Sequence, residues 1–129
     1  MTDEPLNGIL RILLVEGAVI VPKLLIIIAT GDREKALAGL MYTRNVLKNK
    51  WLDDVKVVFF GPSEKLAVLD DEIVWFIKEI TERCDCFACK AISDKEGVSE
   101  RLEVAGVNVE YVGTVVSNAI KEGYIPMVW

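Results

Sequence analysis

Three cysteines lie within six positions of this 129-residue chain, as Cys84, Cys86 and Cys89, and the chain has no histidine. Without an imidazole the chain lacks the usual base of hydrolase mechanisms, which leaves thiolate chemistry that needs no separate proton acceptor. We therefore interpret Cys89 as a candidate nucleophile. Free cysteines are also among the residue types most often buried, so the alternative is that all three are small core residues.

Cys86 and Cys89 have the C-x-x-C spacing that redox proteins use when both thiols lie in the first turn of a helix. Here the intervening residues predict a strand, in which the two side chains point to opposite faces about 10 Å apart. A disulfide needs Cα atoms within about 7 Å, so dithiol chemistry with Cys86 as a second thiol is the less favoured alternative. A zinc site lacks a fourth ligand, and we expect neither a metal nor a cofactor.

The segment around Cys89 predicts a short apolar strand followed by a helix that begins near Lys90 and ends before Gly97. In open α/β sheets, functional groups collect at the carboxyl ends of the strands. The free amides of a helix that begins after Cys89, together with the ammonium group of Lys90, would favour an anionic sulfur. The sequence therefore predicts a sulfur site at this junction.

Strands and helices alternate along the rest of the chain. Apolar or alternating runs predict five strands, at 23–30, 55–60, 86–89, 107–112 and 124–129. Helical periodicity predicts helices between them, at 33–49, 70–83, 90–96 and 114–121, with a further helical turn capped by Ser99. Gly61-Pro62-Ser63 predicts a turn.

This alternation predicts a three-layer α/β/α sandwich with a mainly parallel five-stranded sheet. We expect one domain over residues 1–129, with its core at 23–129. Residues 1–22 form an N-terminal extension outside the alternation. It predicts either a helix from Leu6 to about Glu16 or a strand.

The composition narrows the function further. A net charge of −5 offers no basic field for phosphate backbones, so direct nucleic-acid binding is disfavoured. The hydrophobic content of 52% favours subunit contacts. Free thiols indicate a reducing compartment, which predicts a cytoplasmic protein. Charges at Arg11, Glu16 and Lys23 interrupt the apolar stretch that follows an acidic amino terminus, so we expect neither a secretory signal nor a membrane span.

Several of these segments together resemble the DsrE/DsrF-like family of small sulfur-relay proteins. The similarity covers about residues 23–129, and its most specific parts are the cysteine segment and the Glu122-Gly123-Tyr124 turn. The similar segments are Lys23–Thr30, Val57–Pro62, Phe87–Cys89 with Gly97-Val98, Val109–Gly113 and Glu122–Tyr124.

The resemblance implies a persulfide carrier that accepts sulfane sulfur on Cys89 and passes it to a partner protein's thiol. It also implies sulfur donor and acceptor proteins as partners, and assembly as a trimer or hexamer. Amides of Gly61 and Gly31 at neighbouring strand ends are expected to stabilise the charged persulfide. Tyr124 and Glu122 are expected to line the same pocket or a subunit contact. The alternative from another class is a non-catalytic structural or binding subunit of such an assembly.

Overall fold

The computed structural model describes residues 22–129 in full and the backbone of residues 13–15 and 18–20. Two short strands, β1 (Leu13–Val15) and β2 (Ala18–Ile20), pair as an antiparallel hairpin. The alternative of a helix from Leu6 to about Glu16 is therefore wrong at residues 13–15. The rest of that predicted helix lies outside the described residues.

The main sheet has five strands, and all of them are parallel. The strand order is β6-β5-β4-β3-β7. The chain adds β4, β5 and β6 in turn on one side of β3, and β7 then pairs with β3 on its other side. This confirms the predicted α/β fold. The strands are β3 (Lys23–Ile28), β4 (Asp54–Phe59), β5 (Asp85–Cys89), β6 (Asn108–Glu110) and β7 (Tyr124–Val128).

Helices connect every pair of consecutive strands in this sheet. They are α1 (Arg33–Asn49), α2 (Ser63–Leu69), α3 (Asp71–Thr81), α4 (Lys90–Glu96), α5 (Ser99–Val104) and α6 (Val112–Lys121). Asp32 and Asp70 cap α1 and α3, because their carboxylates accept first-turn amides. No helix in the described part of the chain is both long and apolar enough to cross a bilayer.

Helices cover both faces of the sheet, as the three-layer prediction requires. On the first face, alternate strand residues such as Ile26, Val57 and Cys86 form the larger core with α1, α2, α3 and α5. On the second face, Leu25, Val58 and the other alternate residues pack in a smaller cluster, mainly beneath α6. Strand alternation therefore decides which side chains can meet.

The structure corrects three local predictions. The turn at Gly61-Pro62-Ser63 leads directly into α2, a helix that the sequence analysis missed. Ser99 is the first residue of α5 and does not cap it, since the N-cap position is Val98. The predicted strand at 107–112 is shorter, because α6 already begins at Val112 and includes Gly113.

Candidate functional site

Cys89 lies where β5 ends and α4 begins, as the sequence predicts. It is the last residue of the strand and the N-cap residue of the helix, with extended backbone angles of φ −68° and ψ 117°. Its side chain makes no capping hydrogen bond. The first amides of a helix have no intrahelical acceptor, so peptide NH groups that need a partner follow directly after this thiol.

The side chain of Cys89 is on the second face of the sheet. It belongs to the smaller apolar cluster, and 7% of the residue remains exposed. The cluster contains Leu25, Val58, Val112, Ala119 and Tyr124, with Ile27, Phe87, Ile92, Val115 and Val116 around it. Cys89 is thus largely buried, and only a small part of the residue reaches solvent.

Lys90 does not direct its charge at the sulfur as the sequence analysis expected. Its ammonium group donates to Asp94 Oδ2 at 2.8 Å, one turn along α4. This hydrogen bond and the negative charge of Asp94 raise the pKa of Lys90. Its charge is therefore balanced by Asp94 on the helix surface, where both side chains are partly exposed.

The Gly61 amide is already used, which corrects its predicted role as a persulfide donor. Gly61 has a φ of +93°, which a glycine adopts without strain, and its NH donates to Glu64 Oε2 at 3.1 Å. Glu64 is fully buried, and its other oxygen, Oε1, has no partner among the described residues. Burial raises the pKa of Glu64 to about 7, opposed by the Gly61 hydrogen bond and helped by the nearby charge of Glu96.

Gly31 lies at the carboxyl end of β3, next to the Gly61 turn. A Cβ atom on Gly31 would come within 2.9 Å of Pro62 Cβ. The absence of a side chain therefore lets two neighbouring strand-end turns approach each other closely. The close packing of the two turns therefore explains why residue 31 is a glycine, and a role in binding sulfur is not needed to explain it.

Tyr124 and Glu122 lie at the other end of the sheet from Cys89. Tyr124 is the first residue of β7 and pairs with Lys23 at the start of β3, whereas Cys89 is the last residue of β5. The Tyr124 hydroxyl donates to Asp54 Oδ2, and its ring lies 4.8 Å from Lys23 Nζ. Tyr124 thus belongs to the same apolar cluster as Cys89, but its hydroxyl contacts Asp54 at the opposite end of the sheet. A role of Tyr124 and Glu122 at a subunit contact stays a prediction.

Cys86 lies on the first face of the sheet, opposite Cys89. It pairs with Val57 and belongs to the larger core, where 1% of the residue is exposed. The three cysteines of the described structure are all free thiols. Cys86 and Cys89 thus stand on opposite sides of one strand, as the spacing predicts, and they cannot form a disulfide without rebuilding β5.

Glu64 is the residue near this edge that the sequence analysis missed. The signal was present, since an acidic residue three positions after Gly61 can reach back to its amide, as in a capping box. Within the described residues, no group of three or more histidine, cysteine or carboxylate side chains is arranged to hold a metal ion.

Comparisons with known proteins show the fold alone. No protein-family model matches the chain, and no curated protein matches it. The chain is similar to a solved structure of a conserved protein of unknown function from Bacteroides thetaiotaomicron, with 24% identity and a TM-score of 0.75, over 83% of this chain and 94% of that one. It is also similar to a protein of unknown function from Methanobacterium thermoautotrophicum, with 22% identity and a TM-score of 0.67, over 84% of this chain and 99% of that one.

Proposed function

We propose that this protein is a cytoplasmic persulfide carrier of the DsrE/DsrF-like type, which accepts sulfane sulfur on Cys89 and passes it to a partner protein's thiol. The observation that carries the proposal is the position of Cys89, at the carboxyl end of an inner parallel strand and immediately before a helix. This edge of an open α/β sheet is where ligands and reacting groups collect.

The chemistry needs only the groups that the chain has. The Cys89 thiolate attacks the outer sulfur of a donor persulfide, so the donor's S–S bond breaks, a new S–S bond forms on Cys89, and the donor departs as a thiolate. An acceptor thiolate then attacks the outer sulfur of the Cys89 persulfide and releases Cys89 as a thiolate. Neither exchange requires histidine, which is consistent with the composition of the chain.

Association with other subunits is part of this proposal. Among the residues that the structure describes, β7 stands at an edge of the sheet, and its Ile125 and Val128 are more than half exposed. Apolar groups along an unpaired strand edge favour association. We expect a homo-oligomer, either a trimer or a hexamer, and light scattering on the purified protein would measure its mass.

A second candidate function follows from the burial of Cys89. Cys89 lies within an apolar cluster and only 7% of the residue is exposed, as for a cysteine that serves as a small core residue. In this alternative the protein is a non-catalytic structural or binding subunit. All three thiols would then be unreactive in the folded state.

Labelling separates the two candidates. The folded protein would be incubated with an inorganic polysulfide, and its intact mass measured. A carrier gains one or more sulfur atoms, Cys89→Ser gains none, and the matched control Cys84→Ser gains as much as the wild type. Labelling that persists in Cys89→Ser and disappears in Cys86→Ser would move the site to Cys86. Absence of labelling in the wild type would favour the structural subunit.

A further inference from the structure

Two large aromatic side chains remain exposed at the carboxyl ends of the strands that neighbour β5. Phe60 follows β4, and its amide still donates to Ile28 O at 3.0 Å, so the strand ladder continues through it. Tyr111 follows β6 and is the N-cap residue of α6. Phe60 is 46% exposed and Tyr111 is 64% exposed. Exposed aromatic groups of this size mark surfaces that contact other molecules.

Strand register places Phe60 beside Cys89 on the β4 side. Phe59 pairs with Ala88, so the next residues along the two parallel strands, Phe60 and Cys89, are neighbours. Val58 shares the second face of the sheet with Cys89, and alternation directs Phe60, two positions later, to that same face. An exposed aromatic ring therefore flanks the thiol.

Tyr111 lies beside Cys89 on the β6 side. Glu110, the last residue of β6, pairs directly with Cys89, and Tyr111 is the next residue. The hydrogen bond and charge of Asp94 raise the pKa of Lys90, and the negative charge of the Tyr111 phenolate adds to that rise. The Tyr111 hydroxyl is thus close to the first residue of α4, at the junction that Cys89 begins.

The charge around this surface is acidic. Asp94 neutralises Lys90 at 2.8 Å. The carboxylate of Glu103 also acts on the Lys90 ammonium group, and Glu110 is an exposed neighbour of Cys89. Neither Glu103 nor Glu110 forms an ion pair with any residue that the structure describes. A partner with a basic residue near its own cysteine would complement these charges.

The burial of Cys89 makes the surrounding surface part of any encounter. Only 7% of the residue is exposed, whereas sulfur exchange requires the partner's sulfur to touch the attacking thiolate. A partner protein can therefore reach Cys89 only with a segment that packs closely against Phe60 and Tyr111.

We propose that Phe60, Tyr111 and Glu110 form the docking surface for the cysteine-bearing segment of a partner protein, a segment with apolar residues next to its cysteine and a basic residue beyond them. This inference rests on the proposed function, because it assigns the surface by which the carrier recognises its partner. The two rings pack against the apolar residues on either side of Cys89, and Glu110 pairs with the basic residue. The two sulfurs then meet where most water is excluded.

Disulfide exchange with activated peptides tests the proposal. Two short peptides have one cysteine between leucines, flanked by arginine in one and by glutamate in the other, and each cysteine is joined to thiopyridine. The small disulfide dithiodipyridine is the third probe. The Cys89 thiolate attacks a sulfur of the probe, an S–S bond forms on Cys89, and the departing pyridinethiolate becomes thiopyridone, whose absorbance gives the rate.

All proteins in this assay carry Cys84→Ser, because Cys84 is only partly buried and would react as well. Cys86 is 1% exposed and is left in place. Cys89→Ser in the same background gives the rate to be subtracted.

We expect the arginine peptide to react faster than the glutamate peptide. Phe60→Ala and Tyr111→Ala should each lower the ratio of the arginine-peptide rate to the dithiodipyridine rate about tenfold, as truncation of an anchoring aromatic residue does at an interface. Glu110→Gln should reduce the difference between the two peptides at low salt. Leu69→Ala, at a side chain that is 60% exposed on α2, is the matched control and should react as its parent does.

Failure of this inference and failure of the proposed function give different results. If Cys89 reacts with dithiodipyridine but the two peptides react equally fast, or if Phe60→Ala and Tyr111→Ala leave the rate ratio unchanged, the docking surface is wrong and the reactive thiol remains. If Cys89 reacts with none of the probes, the proposed function is wrong and the docking surface with it. A lower mass of Phe60→Ala than of its parent in light scattering would show a contact between copies of this chain, which would also overturn the proposal.

Discussion

Replacement of Glu64 by glutamine should change how the stability of the protein depends on pH. The Glu64 carboxyl is fully buried, with one oxygen bound to the Gly61 amide and the other without a partner among the described residues. Burial raises its pKa from 4.5 to about 7, the Gly61 bond opposes that rise, and the charge of Glu96 adds to it. The folded state therefore holds this proton more tightly than the unfolded state does.

The sign and size of the pH effect follow from the difference between the Glu64 pKa in the folded state and in the unfolded state. A pKa of about 7 in the folded state against 4.5 in the unfolded state corresponds to about 3 kcal/mol of unfolding free energy. The contribution is complete below about pH 4.5, because both states are then protonated. It is lost as the pH rises from 4.5 to about 7, because the unfolded carboxyl is then ionised and folding must either take up a proton or bury a charged carboxylate.

Glu64→Gln keeps an oxygen for the Gly61 amide and removes the titration. Relative to the wild type, its unfolding free energy should rise by about 3 kcal/mol between about pH 4 and about pH 8. Urea denaturation at several pH values would measure the difference. Glu34→Gln, at a side chain that is 85% exposed, is the control and should follow the wild type throughout. Parallel pH profiles for Glu64→Gln and the wild type would show that the carboxyl is not buried as described.

Three further changes test the packing. Gly39→Ala should lower the unfolding free energy by about 1–3 kcal/mol in urea denaturation, because its Cβ would come within 2.7 Å of Trp129 Cγ; an unchanged midpoint would contradict that contact. Asp70→Ala should cost about 1 kcal/mol by the same measurement, since Asp70 accepts two amides at the start of α3, whereas Asp70→Asn should retain most of that stability. Mild oxidation of the folded protein should produce no Cys86–Cys89 disulfide in peptide mapping, because β5 holds the two thiols on opposite faces, and recovery of that linkage would refute the strand assignment.

The sequence predicted the sheet well because its three inner strands, β3, β4 and β5, are largely buried on both faces. The apolar run that begins at Lys23 has no polar interruption until it ends, so a covered parallel strand is the structure that best satisfies it. Asp70 predicted the start of α3 for a similarly local reason, since a cap residue precedes an amphipathic stretch. Both predictions depend only on neighbours along the chain.

The sequence analysis missed the helix α2 because the two residues just before it favour a turn. Gly61 and Pro62 usually interrupt regular structure, yet proline is compatible with a helix start because it has no NH to leave unpaired. What stabilises this start is the buried carboxyl of Glu64 on the Gly61 amide. That burial depends on contacts distant along the chain, which the local pattern does not reveal.

To predict the candidate site correctly, one must know at which end of the sheet each residue lies. Cys89 was predicted correctly at a strand end, because the helix after it is signalled by Gly97, which adopts a φ of +71° there. Tyr124 was predicted either in a pocket with Cys89 or at a subunit contact. It begins its strand, so parallel pairing places it at the opposite end of the sheet, although both residues belong to the same apolar cluster. The cluster of Tyr124 with Lys23 and Asp54 forms only when β7 pairs beside β3.

Site-resolved transfer of labelled sulfur tests the central claim most directly. The folded protein would be loaded from polysulfide carrying a sulfur isotope, digested after the thiols are trapped, and mapped by tandem mass spectrometry before and after addition of an acceptor thiol. The account predicts that the isotope is on Cys89 alone and leaves for the acceptor in a single turnover. An isotope that never reaches Cys89 in the folded protein, or reaches it and cannot be transferred, would contradict the account.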